Sequence, residues 1–380
     1  MRCRKEKDQI LLAAGIRVSF ISAIALIMTF GVILFVPRAD ASCGAVSCFV
    51  TIGSQQQVSQ EGILTVNGIY DYTPMRVIPG TTGIVPGADT TQKQLILAHH
   101  EEVRTITQTA TIDLNYGITQ RWGLEITIPY LLRTHHHIDG LGEDGLNGEG
   151  QSTTVDSDRL GDIRVGLKYN VLPTLRSMLV VELGVYLPTG FTNANDSTGV
   201  LMEPTTQLGR KQFSLNPTLY QTYELIPHRL NQFAFGSYRH TFENTEKYQF
   251  GAIWEFNGGF NLVTVPWLVL SAQFNYRFIE HDAFNGSLLR SATLADAPNF
   301  PGEPIVIDPN ARNRRVPTTG STFIAFTPGF QLSLAELIDS SWTKATSVYL
   351  YSCIPIARNS NNSLAQETSF VAGFYARSES

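Results

Sequence analysis

Asp162-Ile-Arg-Val-Gly-Leu-Lys-Tyr-Asn-Val171 decides how the rest of this 380-residue chain is read. Ile163, Val165, Leu167, Tyr169 and Val171 fall on one side of a period of two. Asp162, Arg164, Gly166, Lys168 and Asn170 fall on the other. Successive side chains of a strand point to opposite faces, so as a strand this segment has one apolar and one charged face. A helix would scatter the same residues around its surface. The alternation recurs. In 106–116, Ile106, Ala110, Ile112, Leu114 and Tyr116 oppose Thr107, Thr109, Thr111, Asp113 and Asn115, with Gln108 the exception. In 122–132, Trp122, Leu124, Ile126, Ile128, Tyr130 and Leu132 oppose Glu125 and Thr127. In 268–278, Leu268, Leu270, Ala272, Phe274, Tyr276 and Phe278 oppose Ser271, Gln273, Asn275 and Arg277. In 248–256, Phe250, Ala252, Trp254 and Phe256 oppose Gln249, Gly251 and Glu255, with Ile253 the exception.

Twelve such strands are expected, at 62–72, 103–116, 122–133, 162–171, 178–188, 213–225, 231–242, 247–260, 267–279, 320–334, 345–356 and 367–377. The faces of 231–242 and 345–356 are left unassigned, because aromatic residues sit on both. The connections alternate as well. Short links at 117–121, 172–177, 226–230, 261–266 and 335–344 take turns with longer ones at 73–102, 134–161, 189–212 and 280–319, while 243–246 and 357–366 are shorter members of the long series. Short turns on one side and long loops on the other mark an outer-membrane β-barrel, and an even strand count leaves both termini in the periplasm.

Composition agrees. Charged residues are 16% of the chain against about 25% in an ordinary soluble domain, and mean hydropathy is −0.02. The 21 Phe and 14 Tyr exclude a disordered acidic chain. One long apolar run excludes a polytopic helical protein. An acidic balance of 28 Lys+Arg against 33 Asp+Glu argues against nucleic acid as a partner. Four Cys are too few for a disulfide scaffold.

Residues 1–41 read as a signal peptide. Arg2, Arg4, Lys5 and Lys7 precede the uncharged run Val18–Val36, and Ala39-Asp40-Ala41 offers a cleavage site. An uncleaved anchor is the alternative. Lipidation at Cys43 is disfavoured by Asp40, three residues before it. Residues 42–61 are expected as an N-terminal periplasmic segment and 62–380 as the barrel. A soluble β-sandwich or lipocalin-like barrel is the competing reading, and strands of 10–13 residues in one long array favour the membrane.

An Arg or Lys facing lipid costs about 2–4 kcal/mol near the midplane. The charged faces therefore point inward. The expected pore lining is Asp113, Asn115, Glu125, Arg164, Lys168, Glu182, Glu224, Glu255, Gln273, Asn275 and Arg277. Trp122 and Trp267 belong to the inner aromatic girdle, and Tyr72, Tyr130 and Tyr276 to the outer one.

Gly117-Ile-Thr-Gln-Arg-Trp-Gly-Leu124, Gly161-Asp-Ile-Arg-Val-Gly-Leu-Lys-Tyr169 and Leu187-Pro-Thr-Gly190 resemble motifs of bacterial outer-membrane transporter-like barrels of the MetA-pathway, phenol-degradation type. The resemblance runs over residues 60–378. It implies a twelve-strand outer-membrane barrel with a transport role and names no solute. Such barrels commonly end on an aromatic residue, whereas here Phe374 and Tyr375 are followed by Ala376-Arg-Ser-Glu-Ser380. The Cys43–Cys48 segment has no counterpart in those motifs.

Few residues suggest chemistry. Cys43 and Cys48 are a disulfide candidate in an oxidising compartment. Cys353 reads as an inert strand residue. His135-His136-His137 and His99-His100-Glu101-Glu102 could bind metal, but a solvated loop rim is the expectation for the first, and no metal site or cofactor is expected. Asn195-Asp-Ser197 matches a glycosylation pattern that means little in a bacterial chain. A lipid hydrolase needs a nucleophile within reach of a base, and Ser237 and His240 lie on opposite faces of their strand. The sequence thus points to a passive small-solute channel rather than an enzyme. Its partners would be outer-membrane lipid, a small-molecule solute and the barrel-assembly machinery. The alternative is a docking barrel for a periplasmic or electron-transfer protein.

Overall fold

The computed structural model describes residues 49–89, 94–139, 151–174, 176–195, 201–290, 305–308, 314–338 and 346–378. The signal peptide and the Cys43–Cys48 pair lie outside the described residues. Twelve strands follow the alternating segments: β1 (Leu64–Val77), β2 (Gln94–Gly117), β3 (Trp122–Asp139), β4 in two segments (Gln151–Leu160 and Arg164–Asn170), β5 (Ser177–Tyr186), β6 (Ser214–Ile226), β7 (Leu230–Thr241), β8 (Ile253–Val265), β9 (Leu268–Ile279), β10 (Ser321–Ser333), β11 (Thr346–Asn359) and β12 (Ser369–Arg377). Each pairs antiparallel with the next. β12 then pairs with β1 from Thr65↔Arg377 to Tyr72↔Phe370, and the barrel closes. The residues after Tyr375 do not displace this last strand.

The outer surface is apolar. Leu124, Leu167 and Leu183 are cross-strand neighbours on β3, β4 and β5, and all three are exposed. Ile112, Leu219, Phe274 and Ile356 continue the belt. A continuous apolar belt of this kind is solvated by hydrocarbon, not water. Trp122 packs on Tyr169 at the short-turn end, and Tyr238 packs on Trp254 at the other, where the Trp254 indole donates to Glu280. These rings form the two interfacial girdles.

Three features differ from the sequence expectation. First, the links 73–102 and 134–161 are largely strand. The Ile84–Asp89 strand pairs with the outer part of β2, and Gln151–Leu160 with that of β3. β2 has 24 residues, about 80 Å of strand, where about 9–11 residues cross the membrane. Beyond that length the backbone ladder continues. His135-His136-His137 is therefore not a solvated loop rim. His135 and His137 point inward and are buried, and His136 points out to Ser152.

Second, a β-bulge interrupts β2 between Glu102 and Arg104. Below it Thr105, Thr107, Thr109, Asp113 and Asn115 face inward. Above it the inward residues are Glu102 and His100. Strict alternation would have turned those two outward. Third, residues 49–60 run inside the barrel rather than standing apart as a periplasmic segment. They reach the rim at a turn in which Ile63 N–H donates to the Gln60 carbonyl and Gly62 takes φ +76°, a backbone conformation that suits glycine.

Leu167→Arg would put a cation into lipid one residue from an inward cation. It should lower the unfolding free energy in bilayers by about 2–4 kcal/mol. Urea titration of the heat-modifiable species measures this, and an unchanged midpoint would show that this face does not meet lipid.

Candidate functional site: a stoppered lumen

The inward residues of β2–β5 form one connected polar group. Lys168 Nζ stands 2.7 Å from Glu125 Oε2. Arg164 reaches Glu125 at 3.2 Å and Glu182 at 2.6 Å, and its Nε donates to Asn216 Oδ1. Asp113 accepts from Asn67 Nδ2 at 2.6 Å and from Thr127 Oγ1 at 3.1 Å. Two glycines make room for this cluster. A Cβ on Gly166 would collide with Glu182 Oε1, and one on Gly184 would lie 2.7 Å from Arg164 Nε. The inward Gly166 in the alternating motif is thus a space for the carboxylate of the neighbouring strand.

The N-terminal segment fills the centre, and the wall grips its backbone. Asn115 Nδ2 donates to the carbonyls of Gln57 at 2.7 Å and Gln55 at 3.2 Å. Lys168 Nζ also donates to the Gln55 carbonyl. Gln273 Oε1 accepts the Thr51 N–H at 3.0 Å, and Asn257 Nδ2 donates to Thr51 Oγ1 at 2.8 Å. Asn275 Nδ2 donates to the Phe49 carbonyl at 2.8 Å, and the Arg277 guanidinium lies 4.9 Å over the Phe49 ring. Two other stretches of the wall, β10–β12 and β5–β7, make apolar contacts. Ile52 packs among Phe323, Ala325, Tyr349, Tyr351 and Val371, and Val58 packs against Val180, Tyr220 and Phe233. These contacts explain the aromatic residues on both faces of β7, where Tyr238 faces lipid and Phe233 the stopper; on β11, against the expectation of aromatics on both faces, Tyr349 and Tyr351 share the inward face and both meet the stopper.

Ten of the eleven expected lining residues face this interior, and Glu255 among them accepts from Ser237 Oγ at 3.2 Å. Glu224 stands apart, half-buried at the short-turn rim of β6. Asn67 and Asn257 belong to the same wall, and the period-two faces of β1 and β8 place them there. The stopper itself, Thr51-Ile-Gly-Ser-Gln-Gln-Gln57, carries no periodic signal. Water in an open lumen would touch the wall, yet Asn67, Asp113, Asn115, Lys168, Gln273, Asn275 and Thr327 are all 0% exposed. The barrel is closed at this height.

The outer mouth is covered as well. Arg133 reaches from β3 to the Thr206 and Gln207 carbonyls at 2.8 and 3.0 Å and pins the β5–β6 loop over the opening. Asp282 accepts from Gly251 N at 2.6 Å and from the Tyr248 hydroxyl. Burial pushes this carboxyl above its ordinary value, against the pull of those two hydrogen bonds. Ser237 and His240 do lie on opposite faces, inward and outward, so they form no nucleophile–base pair.

The family model described as "Putative MetA-pathway of phenol degradation" matches residues 102–311, more than half of the chain. A search of the curated proteins finds no match. Among solved structures, the COG4313 outer membrane channel from Pseudomonas putida F1 is 11% identical, with TM-score 0.52, over 87% of this chain and 100% of that one. That likeness shows a shared barrel fold. A TodX monoaromatic hydrocarbon channel variant is 10% identical, with TM-score 0.40, over 84% and 90%, which is too loose to carry an argument.

Removing one member of a buried ion pair strands the other, at about 3–5 kcal/mol. Glu125→Gln should therefore lower stability by that amount in a denaturant titration. Glu224→Gln at the rim should change it by no more than about 0.5 kcal/mol.

Proposed function

Since the chain belongs to the family described as "Putative MetA-pathway of phenol degradation", we propose that it is a passive channel of the bacterial outer membrane for small hydrophobic or aromatic solutes, with residues 49–60 as a movable stopper. The observation that carries this reading is the way the stopper is held. Wall side chains bind its main chain, and its apolar residues Ile52 and Val58 pack on two aromatic stretches of the wall. Withdrawal of the segment would leave two aromatic stretches of wall, Tyr220 and Phe233 on β6 and β7 and Phe323, Tyr349 and Tyr351 on β10 and β11, with the ion-pair cluster of β2–β5 and the amides of β8 and β9 between them. That alternation of aromatic and polar wall suits a planar apolar solute with one polar group. Transport through it is diffusion, with no bond made or broken, and no cofactor enters the reading. The partners we infer are the lipid around the apolar belt, the assembly machinery that inserts the barrel, and the solute.

The test is planar-bilayer conductance of the mature chain 42–380 beside a variant lacking residues 49–57. The mature chain should be closed or open only briefly, and the deletion variant should give ohmic steps. A folded, heat-modifiable deletion variant that stays silent would overturn the channel reading in favour of a docking barrel. In the conducting variant, Lys168→Gln should move the reversal potential toward cation preference, because Glu125 loses its ammonium partner. An unchanged potential would remove Lys168 from the lining.

A further inference from the structure

Above the apolar belt, β2 and β3 bring four donor residues to one patch of the inner wall. His100 and Glu102 come from β2, and His135 and His137 from β3. All four are buried, at 1–3% exposure. The register sets Glu102 opposite His137, with Thr105 opposite His135 below the bulge. The β5–β6 loop pinned by Arg133 lowers Glu203 onto the same patch.

The separations bring the ligand atoms within reach of one ion. His100 Nε2 lies 3.5 Å from Glu102 Oε1, and His135 Nδ1 lies 3.6 Å from Glu102 Oε2. One ligand atom from each of His100, Glu102 and His135 falls within 4.8 Å of the others. These distances are at or beyond the limit of a well-formed hydrogen bond. Tetrahedral bonds of about 2.0–2.1 Å set ligand atoms about 3.3–3.4 Å apart, so small side-chain rotations that turn a single Glu102 oxygen and one His135 nitrogen to a common point would complete the geometry. A second observation is independent of them. His135 Nδ1 shares a 2.8 Å hydrogen bond with Thr105 Oγ1, while its buried Nε2 has no hydrogen-bond partner among the described residues.

We propose that His100, Glu102 and His135 bind a divalent transition-metal ion of the zinc class at the outer mouth of the barrel. Two imidazoles and one carboxylate are a zinc-type donor set, whereas calcium and magnesium take oxygen. Glu203 Oε1 lies 3.3 Å from His100 Nδ1, the far side of the ring from Glu102. A carboxylate there orients a ligating imidazole. The His137 ring stands 5.2 Å from that of His100 and 5.0 Å from that of His135, next in line as a fourth donor. The bulge supports the assignment, since bulges re-aim side chains beside functional sites. A bound ion would tie the outer ends of β2 and β3 to each other and, through Glu203, to the loop over the mouth. The proposal stands apart from the channel reading, because a barrel that never conducts could still hold the ion.

The test is metal titration of the chelator-stripped mature chain in detergent, with heat-modifiability certifying each variant as folded. Zn²⁺, followed by competition with a chromophoric chelator, should bind at one equivalent. Co²⁺ should give the intense visible bands of a four-coordinate site. His135→Ala and Glu102→Gln should each abolish the stoichiometric step, and Glu203→Gln should weaken it roughly 10–100-fold. His136→Ala, which faces outward, should change nothing. Absence of stoichiometric uptake by the unmodified chain would overturn the proposal. Uptake that survives both His100→Ala and His135→Ala would overturn it as well. If an alanine variant fails to fold, His135→Gln and Glu102→Gln decide the matter in the same way.

Discussion

Hydrocarbon offers no partner to a backbone amide. A chain that crosses a bilayer as strands must therefore pair every one of them internally. The other features of this barrel follow from that. The sheet closes on itself through the β12–β1 ladder. The alternation of the strands then divides the side chains between two solvents. The face turned to lipid is leucine, isoleucine and aromatic. The face turned inward is free to be polar, and so it is.

An inward polar wall creates its own demand. Where water is excluded, each donor and acceptor needs a partner. Adjacent strands meet part of that demand, as in the Arg164 bridge to Glu125 and Glu182. A further part is met by carbonyls and amides of residues 49–57, which carry no regular ladder of their own beyond one helical turn at Gly53–Gln56. Wall and stopper are thus mutual solvents. A buried ion pair by itself is weak evidence for stability. Here its clearest role is geometric, because it holds Lys168 where it can donate to the Gln55 carbonyl.

Much of this was legible in the sequence, and the limits have physical causes. Period-two alternation located twelve strands and placed ten lining residues inward, because a membrane strand separates its faces by charge. It failed where that separation lapses. Outside the bilayer β2 and β3 continue without a clean alternation of apolar and polar residues, so their outer halves read as loops. On β7 both faces carry aromatics and on β11 the inward face is aromatic, since Phe233, Tyr349 and Tyr351 meet the stopper rather than water. The segment 49–60 has no period to read. The buried grouping of His100 and Glu102 with His135 was hidden by the bulge, for which a single sequence gives no warning.

That bulge has a consequence for how this strand tolerates change in length. Within the membrane, losing one residue from β2 would reverse every side chain beyond the cut, sending charge into lipid. Val103 is different, because the ladder passes from Glu102 to Arg104 without counting it. A deletion confined to that codon would leave the histidines, the acids and the threonines below them in phase. It is a point along β2 where length can drift while orientation is inherited unchanged.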